Sequence, residues 1–363
     1  MKRRKFLVKA GGALVAAAAA TGVEAPYVIA RPSYRWRMVT SWPPAIDVLQ
    51  GKAVRFSSIV ERMSEGRFKI EVFAAGELIP AFGVFDAVSQ GTLEMFNSAA
   101  YYWAGKEPAT QWFAAIPFGL NAQGMNGWYF QGGALGLWEK TYAPFNLVPR
   151  PAGSTGVQMG GWFRKKINSM ADYQGLKFRI PGLGGKVIAQ AGAAVVLTPG
   201  GEVFPALERG VIDGTEWVGP HDDMKLGLHN AARYYYYPGW HEPGTTAEFV
   251  FSKKAYDRLP SELRAMLDHA AFSCNLQLLA DYEMKNAAAL SRLQTEYKNK
   301  VEILQFPAQV LTTLRKLAKE VVEEEAARSP MARKVHESFA SYQAKLSPWA
   351  GISEDPYHRL IRI

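Results

Sequence analysis

The chain has 363 residues, 48% hydrophobic and 21% charged, with a formal net charge of +9. This composition excludes a disordered chain, and the length suits two domains or one large domain with insertions. Residues 1–30 carry five Lys/Arg against one Glu, so the remainder is only +5, too weak a bias to argue for nucleic acid.

The N-terminus reads as a targeting segment. A basic stretch, Lys2–Lys9, precedes the small-residue apolar run Ala10–Ala20, which is too short for a comfortable membrane span. Arg3-Arg4 followed by Phe6-Leu7 resembles a twin-arginine export signal. Cleavage is expected after Ala25 or Ala30, and Pro26 disfavours the first. The single cysteine, Cys274, permits no internal disulfide and sits in a helical pattern, where it reads as a small buried hydrophobe.

Next comes a strand over 35–41, a helix over 54–64, and the alternating strand Phe68–Phe73. A helix ended by Gly91 and a short apolar strand follow. The same order returns further on. Residues 176–180 read as a strand, 185–191 as a helix and 194–198 as a strand. A helix ended by Gly210 and a strand through Trp217 complete the set. Val84–Ser98 and Val203–Trp217 align without a gap. Each half is the pattern of a parallel α/β sheet, so the chain is expected to fold as two α/β lobes. Ligands bind beyond the carboxyl ends of parallel strands. Asn97 and Glu216, equivalent in the repeat, are therefore expected to look into one cleft.

From Ser261 to Phe306 there is neither glycine nor proline. Leu263, Met266, Leu267, Ala270, Ala271, Cys274, Leu278 and Tyr282 mark one helical face, with Ser261 as the expected cap. Leu276 and Leu279 lie off that stripe and predict burial on a second side. Some 35 helical residues would measure roughly 50 Å, longer than one lobe. A strand over 301–306 and helices over about 309–328 and 331–345 follow, with Glu323–Glu325 expected on a solvated face.

Several chemistries are poorly supported. Gly182-Leu-Gly-Gly-Lys186 lacks both the third glycine of a dinucleotide fingerprint and the Ser/Thr of a phosphate loop, and reads as a tight turn at a cleft wall. His221, His229, His241, His269, His336 and His358 show no zinc spacing, and there is no Gly-x-Ser-x-Gly elbow. Glu216 and Glu242 suit a hydrolase or lyase pair by residue type alone. Arg179 is a different signal. It shares a strand face with Lys177 at the end that opens on the cleft, where a guanidinium can hold a carboxylate by two bonds.

Gln158–Phe163, Gly175–Gly185, Pro199–Leu207, Gly210–Pro220 and Tyr237–Gly244 resemble the DctP-type extracytoplasmic solute receptors of TRAP transporters. The resemblance extends over nearly all of the chain after the signal, and it is closest to the branch that binds 2-oxo acids such as pyruvate, or lactate. It implies a periplasmic-binding-protein-like fold, α/β and two-lobed, with a long helix spanning both lobes. It implies a periplasmic receptor without turnover, delivering a small 2-oxo or 2-hydroxy monocarboxylate to a TRAP permease. Carried over, Arg179 grips the carboxylate, with Gln158, Asn97, Tyr101 and Trp217 as further substrate contacts and Trp103 beside them. Glu216, the Trp217 carbonyl, Glu242 and Gln158 are the candidate ligands of a sodium or calcium ion. An oxygen-only set suits a hard cation, and an ion offsets two glutamates that would otherwise repel an anionic ligand. Lobe I is expected over 31–155 plus about 245–284, and lobe II over 156–244 plus about 285–306. Residues 307–363 are expected to pack across the lobes or in a homodimer interface.

Overall fold

Two mixed sheets organise residues 33–360, the part of the chain that the computed structural model describes; the export-signal reading of residues 1–30 lies outside it. The first lobe begins with β1 (Tyr34–Thr40), α1 (Leu49–Met63), β2 (Phe68–Phe73), α2 (Val84–Ser89) and β3 (Met95–Ala99). It continues through α3 (Ala122–Phe130) and α4 (Ala134–Tyr142) to β4 (Leu147–Ser154). In β2, Phe68 and Ile70 turn inward while Lys69 and Glu71 face water, the alternation of a half-buried strand.

The second lobe holds β5 (Gly161–Phe163), β6 (Lys177–Arg179), α5 (Gly182–Gln190), β7 (Ala194–Val196), α6 (Gly200–Glu208) and β8 (Gly214–Thr215). α7 (Pro220–Lys225), α8 (Leu228–Ala231) and β9 (Tyr234–Tyr237) complete that pass. β10 (Thr246–Ser252) returns to the first sheet and is followed by α9 (Lys253–Asp257) and α10 (Ser261–Thr295). β11 (Glu302–Gln305) rejoins the second sheet, and α11 (Ala308–Ala326), α12 (Pro330–Ala350) and α13 (Glu354–Leu360) end the chain.

The strand orders are β2-β1-β3-β10-β4 and β11-β9-β5-β8-β6-β7. The internal repeat appears as two parallel triplets of the same order, β2-β1-β3 and β7-β6-β8, each with its first strand in the middle. The sheets are not wholly parallel, as the repeat alone predicts. β10 runs antiparallel to β3 and β4, and β5 antiparallel to β8 and β9. β4 carries the chain out of the first lobe and β10 carries it back, so the two crossing strands run in opposite senses.

α10 is 35 residues long and packs against β4 and α1 of the first lobe and α7 of the second. Leu263, Leu267, Ala270, Ala271, Cys274, Leu278 and Tyr282 form its buried stripe. Three sequence expectations fail around it. Leu276 is 72% exposed, so the helix does not bury a second side there. Ser261 is the first helical residue and no side chain caps the helix; the amides of Leu263 and Arg264 bond the Pro260 carbonyl instead. Glu325 is buried rather than solvated, accepting bonds from Gln111 of the first lobe, Lys186 of the second and Arg328.

Candidate functional site

Lys177 and Arg179 stand two residues apart on one face of β6, and position along the strand separates them: Lys177 is exposed at its start and Arg179 is 1% exposed at its end. The Glu216 amide bonds the Arg179 carbonyl at 3.2 Å, so the pairing that follows β6 and β8 sets these two residues side by side. The Arg179 guanidinium donates from Nη1 to Glu216 Oε1 at 2.7 Å and from Nε to the Thr198 carbonyl at 3.2 Å. Its Cζ lies 5.1 Å from the Trp217 ring centre, a cation–π contact. A Cβ on Gly200 would stand 2.4 Å from the Trp217 ring, so only glycine lets the start of α6 approach that indole.

Two loops complete the site. The Gln158 amide N–H bonds the Glu242 carbonyl at 3.3 Å, and the Gly239 amide bonds the Gln158 carbonyl at 2.9 Å. Gln158 donates from Nε2 to Thr155 and Thr245 hydroxyls, both at 3.1 Å, while the Thr245 hydroxyl donates to Glu242. A small cavity opens here. Trp42, Tyr101 and Tyr102 wall it from the first lobe, and Gln158, Arg179 and Trp217 from the second. Gly182 has φ +60 and its backbone passes close to Tyr101, which is the tight turn at a cleft wall that the sequence implied.

Beside the cavity, Glu216, His241 and Glu242 bring ligand atoms within 4.8 Å of one another, all buried. Burial pushes the Glu216 carboxyl up to about 7, with Arg179 pulling it back. Burial, then the neighbouring Glu216, pushes Glu242 up to about 7 as well. Burial holds His241 below its ordinary value, and among the described residues neither of its ring nitrogens has a hydrogen-bond partner. Glu216 Oε2 and Gln158 Oε1 are likewise buried and unpartnered. Orphaned oxygens beside two carboxylates that resist ionisation are what a hard cation satisfies, so the residues present fit one. On the other side, Arg179 Nη2 is a buried donor without an acceptor among the described residues, the complement of an anionic ligand.

The sequence candidates separate here. Arg179, Gln158, Tyr101 and Trp217 line the cavity, and Glu216 and Glu242 stand together beside it. Asn97 does not line it. Its Oδ1 accepts the Trp42 indole N–H at 2.7 Å and its Nδ2 donates to the Glu248 carbonyl at 2.7 Å, so both ends of this fully buried side chain are engaged within the first lobe. Trp103 is also structural, donating to the buried Glu248 carboxylate at 2.7 Å. Sequence reasoning missed Trp42, Tyr102, Thr155 and Thr245 as lining residues, and His241 beside the two glutamates. The proximity of His241 to Glu242 and of Tyr102 to Tyr101 was the available signal. Trp42 had none, because its place depends on Asn97.

The chain matches the family described as bacterial extracellular solute-binding protein, family 7, over residues 38–329. It is 43% identical over 326 residues to a monocarboxylate 2-oxoacid-binding periplasmic protein of Nostoc sp., covering 90% of this chain and 88% of that protein. A TRAP transporter solute-binding protein from Bordetella bronchiseptica is 35% identical with a TM-score of 0.88, covering 91% of this chain and 97% of that one. That structure is a dimer of mixed occupancy with copurified calcium and picolinate. A TRAP periplasmic solute-binding protein from Pseudoalteromonas atlantica, with bound sodium and pyruvate, is 38% identical with a TM-score of 0.87, covering 90% and 99%. The two-lobed α/β arrangement is the fold of these receptors. The chain belongs to the DctP family of bacterial extracellular solute-binding proteins, which are TRAP transport receptors and not enzymes.

Proposed function

We propose that this receptor captures a small 2-oxo monocarboxylate of the pyruvate class together with a sodium or calcium ion. It does so in the periplasm and hands the solute to the membrane subunits of a TRAP permease. One observation carries the reading: an unpartnered guanidinium donor, Arg179 Nη2, shares a site with unpartnered oxygens of Glu216 and Gln158. The first suits a carboxylate and the second suit a cation. The Pseudoalteromonas protein's pyruvate and the Bordetella protein's picolinate support this class. Both are monocarboxylates with a donor atom on the carbon that bears the carboxylate.

In this reading Arg179 orients the solute carboxylate, and Tyr101 and Trp217 wall it from opposite lobes. Glu216, Glu242, Gln158 and the Trp217 carbonyl hold the ion. The ion supplies the charge that lets two glutamates and an anionic solute share one buried site. Contacts from both lobes favour the closed arrangement, and that closure is the functional event.

A thermal-shift panel tests the class. Pyruvate and 2-oxobutyrate should raise the Tm by several degrees with sodium or calcium present, since ligand at 100 times its Kd contributes about 2.7 kcal/mol. Chelation of calcium in sodium-free buffer should remove the shift. Stabilisation by succinate but not by monocarboxylates overturns the reading, and lactate outranking pyruvate moves it to 2-hydroxy acids. The exposed Trp349, Ile352, Tyr357 and Leu360 of the C-terminal helices support a homodimer surface; a monomer mass by light scattering refutes it.

A further inference from the structure

Residues 238–245 join β9 of the second sheet to β10 of the first, and they bring His241, Glu242 and Thr245 to the site. They belong to no helix or strand, so their course is set by the segments that bond to them. One set of ties comes from residues 155–158. The Gly239 amide donates to the Gln158 carbonyl at 2.9 Å, the Thr155 amide to the Thr245 carbonyl at 2.9 Å, and the Thr245 amide to the Thr155 hydroxyl at 3.0 Å. A second set comes from residues 114–118 of the first lobe, just before α3. There the Thr246 amide donates to the Ala114 carbonyl at 3.0 Å, and the Phe118 amide to the Trp240 carbonyl at 2.8 Å. These two bonds bracket His241 and Glu242 in the chain.

Phe118 is the unusual member of that second set. Its φ is +55, and only two other non-glycine residues, Glu65 and Asn146, share a positive φ among the described residues. A bulky residue stays in that region only where its surroundings hold it. Here the phenyl ring stacks on the Trp240 indole, with ring centres 5.6 Å apart and planes at 27°. The Arg315 guanidinium of α11 lies 4.6 Å from the same phenyl centre, a cation–π contact. Trp240 in turn meets the His241 ring edge-on at 5.5 Å. Phe118 itself does not line the solute cavity.

We propose that Phe118 is a positioning residue of the ion site: it grips Trp240 by backbone and by ring, and so fixes the loop that presents His241 and Glu242. A cation is held well only where its ligands stand at set distances, and residues that orient those ligands matter nearly as much as the ligands do. A loop without regular structure cannot supply that order alone. Glycine would adopt the same φ without strain. A phenylalanine in its place points to the ring as what the position needs, and Arg315 secures that ring from the C-terminal helices.

The binding arm of the test rests on the proposed ion-and-solute reading, and a ligand-free arm separates the two. The full mature chain is compared with Phe118→Gly, which frees the backbone and removes the ring, Phe118→Leu, which keeps bulk without an aromatic face, and Phe118→Tyr, which keeps the ring. In calorimetry at saturating pyruvate, the cation, calcium or sodium, should bind about tenfold more weakly to Phe118→Gly and Phe118→Leu. Pyruvate affinity at saturating cation should change less, because Arg179 and the cavity walls stay in place. Phe118→Tyr should restore cation affinity to within about twofold of wild type. Without any ligand, amide hydrogen exchange over residues 238–245 should be about twofold to tenfold faster in Phe118→Gly and Phe118→Leu, the effect of losing one aromatic pair, and near wild type in Phe118→Tyr. Wild-type exchange in both ring-deleted variants overturns the proposal. So does a cation affinity in Phe118→Tyr as weak as in Phe118→Gly, or a pyruvate loss as large as the cation loss. If Phe118→Gly does not fold, Phe118→Leu carries both arms. A wild-type protein that binds neither pyruvate nor either cation sinks the solute reading, and the exchange arm still decides whether Phe118 holds the loop.

Discussion

Asn97 and Glu216 occupy the same place in the two halves of the repeat: Asn97 is the last residue that pairs β3 with β1, and Glu216 stands one residue past the pairing of β8 with β6. Their fates differ. In the first lobe, Asn97 is consumed by Trp42 and Glu248, and it reaches the cavity only through the indole it holds. In the second lobe, Glu216 meets Arg179 with one oxygen and keeps the other free. A repeat therefore specifies where a backbone position stands and not what its side chain does. The neighbour decides that: a tryptophan and a carbonyl engage both ends of an amide, whereas one arginine leaves one carboxylate oxygen unpartnered.

The sharpest test of the comparison is to remove that arginine. Arg179→Ala should abolish detectable pyruvate binding, and should destabilise the fold by about 3–5 kcal/mol because Glu216 is left as an uncompensated buried charge. Retained affinity in calorimetry would break the assignment of Arg179 to the solute carboxylate.

The next test sets the two equivalent positions against each other. Glu216→Gln should cost at least about 10–100-fold in cation-dependent affinity, the loss typical when even the partners that orient a metal's ligands are removed. Asn97→Ala should instead lower stability by about 1–3 kcal/mol through two lost buried hydrogen bonds, with a smaller effect on affinity. A larger affinity loss in Asn97→Ala than in Glu216→Gln would reverse the contrast.

The smallest effect concerns the buried carboxylate of the first lobe. Glu248 accepts from Trp103 and Tyr142, both at 2.7 Å, and burial pushes it up to about 7. Its folded value lies above the unfolded one, near 4.3 for glutamate. The folded state therefore holds the proton longer, and this group costs stability progressively as pH rises between those values. The Tm difference between Glu248→Gln and wild type should move in the variant's favour from about pH 4.3 to about 7 and then level off. A difference that is flat across that window removes Glu248 as a titrating group.

Much of the site was legible before the fold. Arg179, Glu216 and Trp217 stand at strand ends, where period-two alternation and the repeat together specify the outlook of each side chain. Gln158 and Glu242 came from resemblance, since nothing in their spacing says that a backbone bond joins their loops. Trp42, Thr155 and Thr245 were invisible because each lines the cavity through a partner distant in sequence.

The same division holds for the molecule. Apolar periodicity, glycine stops and the repeated order of elements determined two α/β lobes and a 35-residue helix, because those signals are local and act through burial of one face. Only the tertiary structure decided that β10 and β5 run antiparallel, that Glu325 is buried between the lobes and that Asn97 is bonded at both ends while Glu216 keeps an unpartnered oxygen. Those outcomes depend on which groups meet across the chain, and the balance between desolvation and pairing is settled only where they meet.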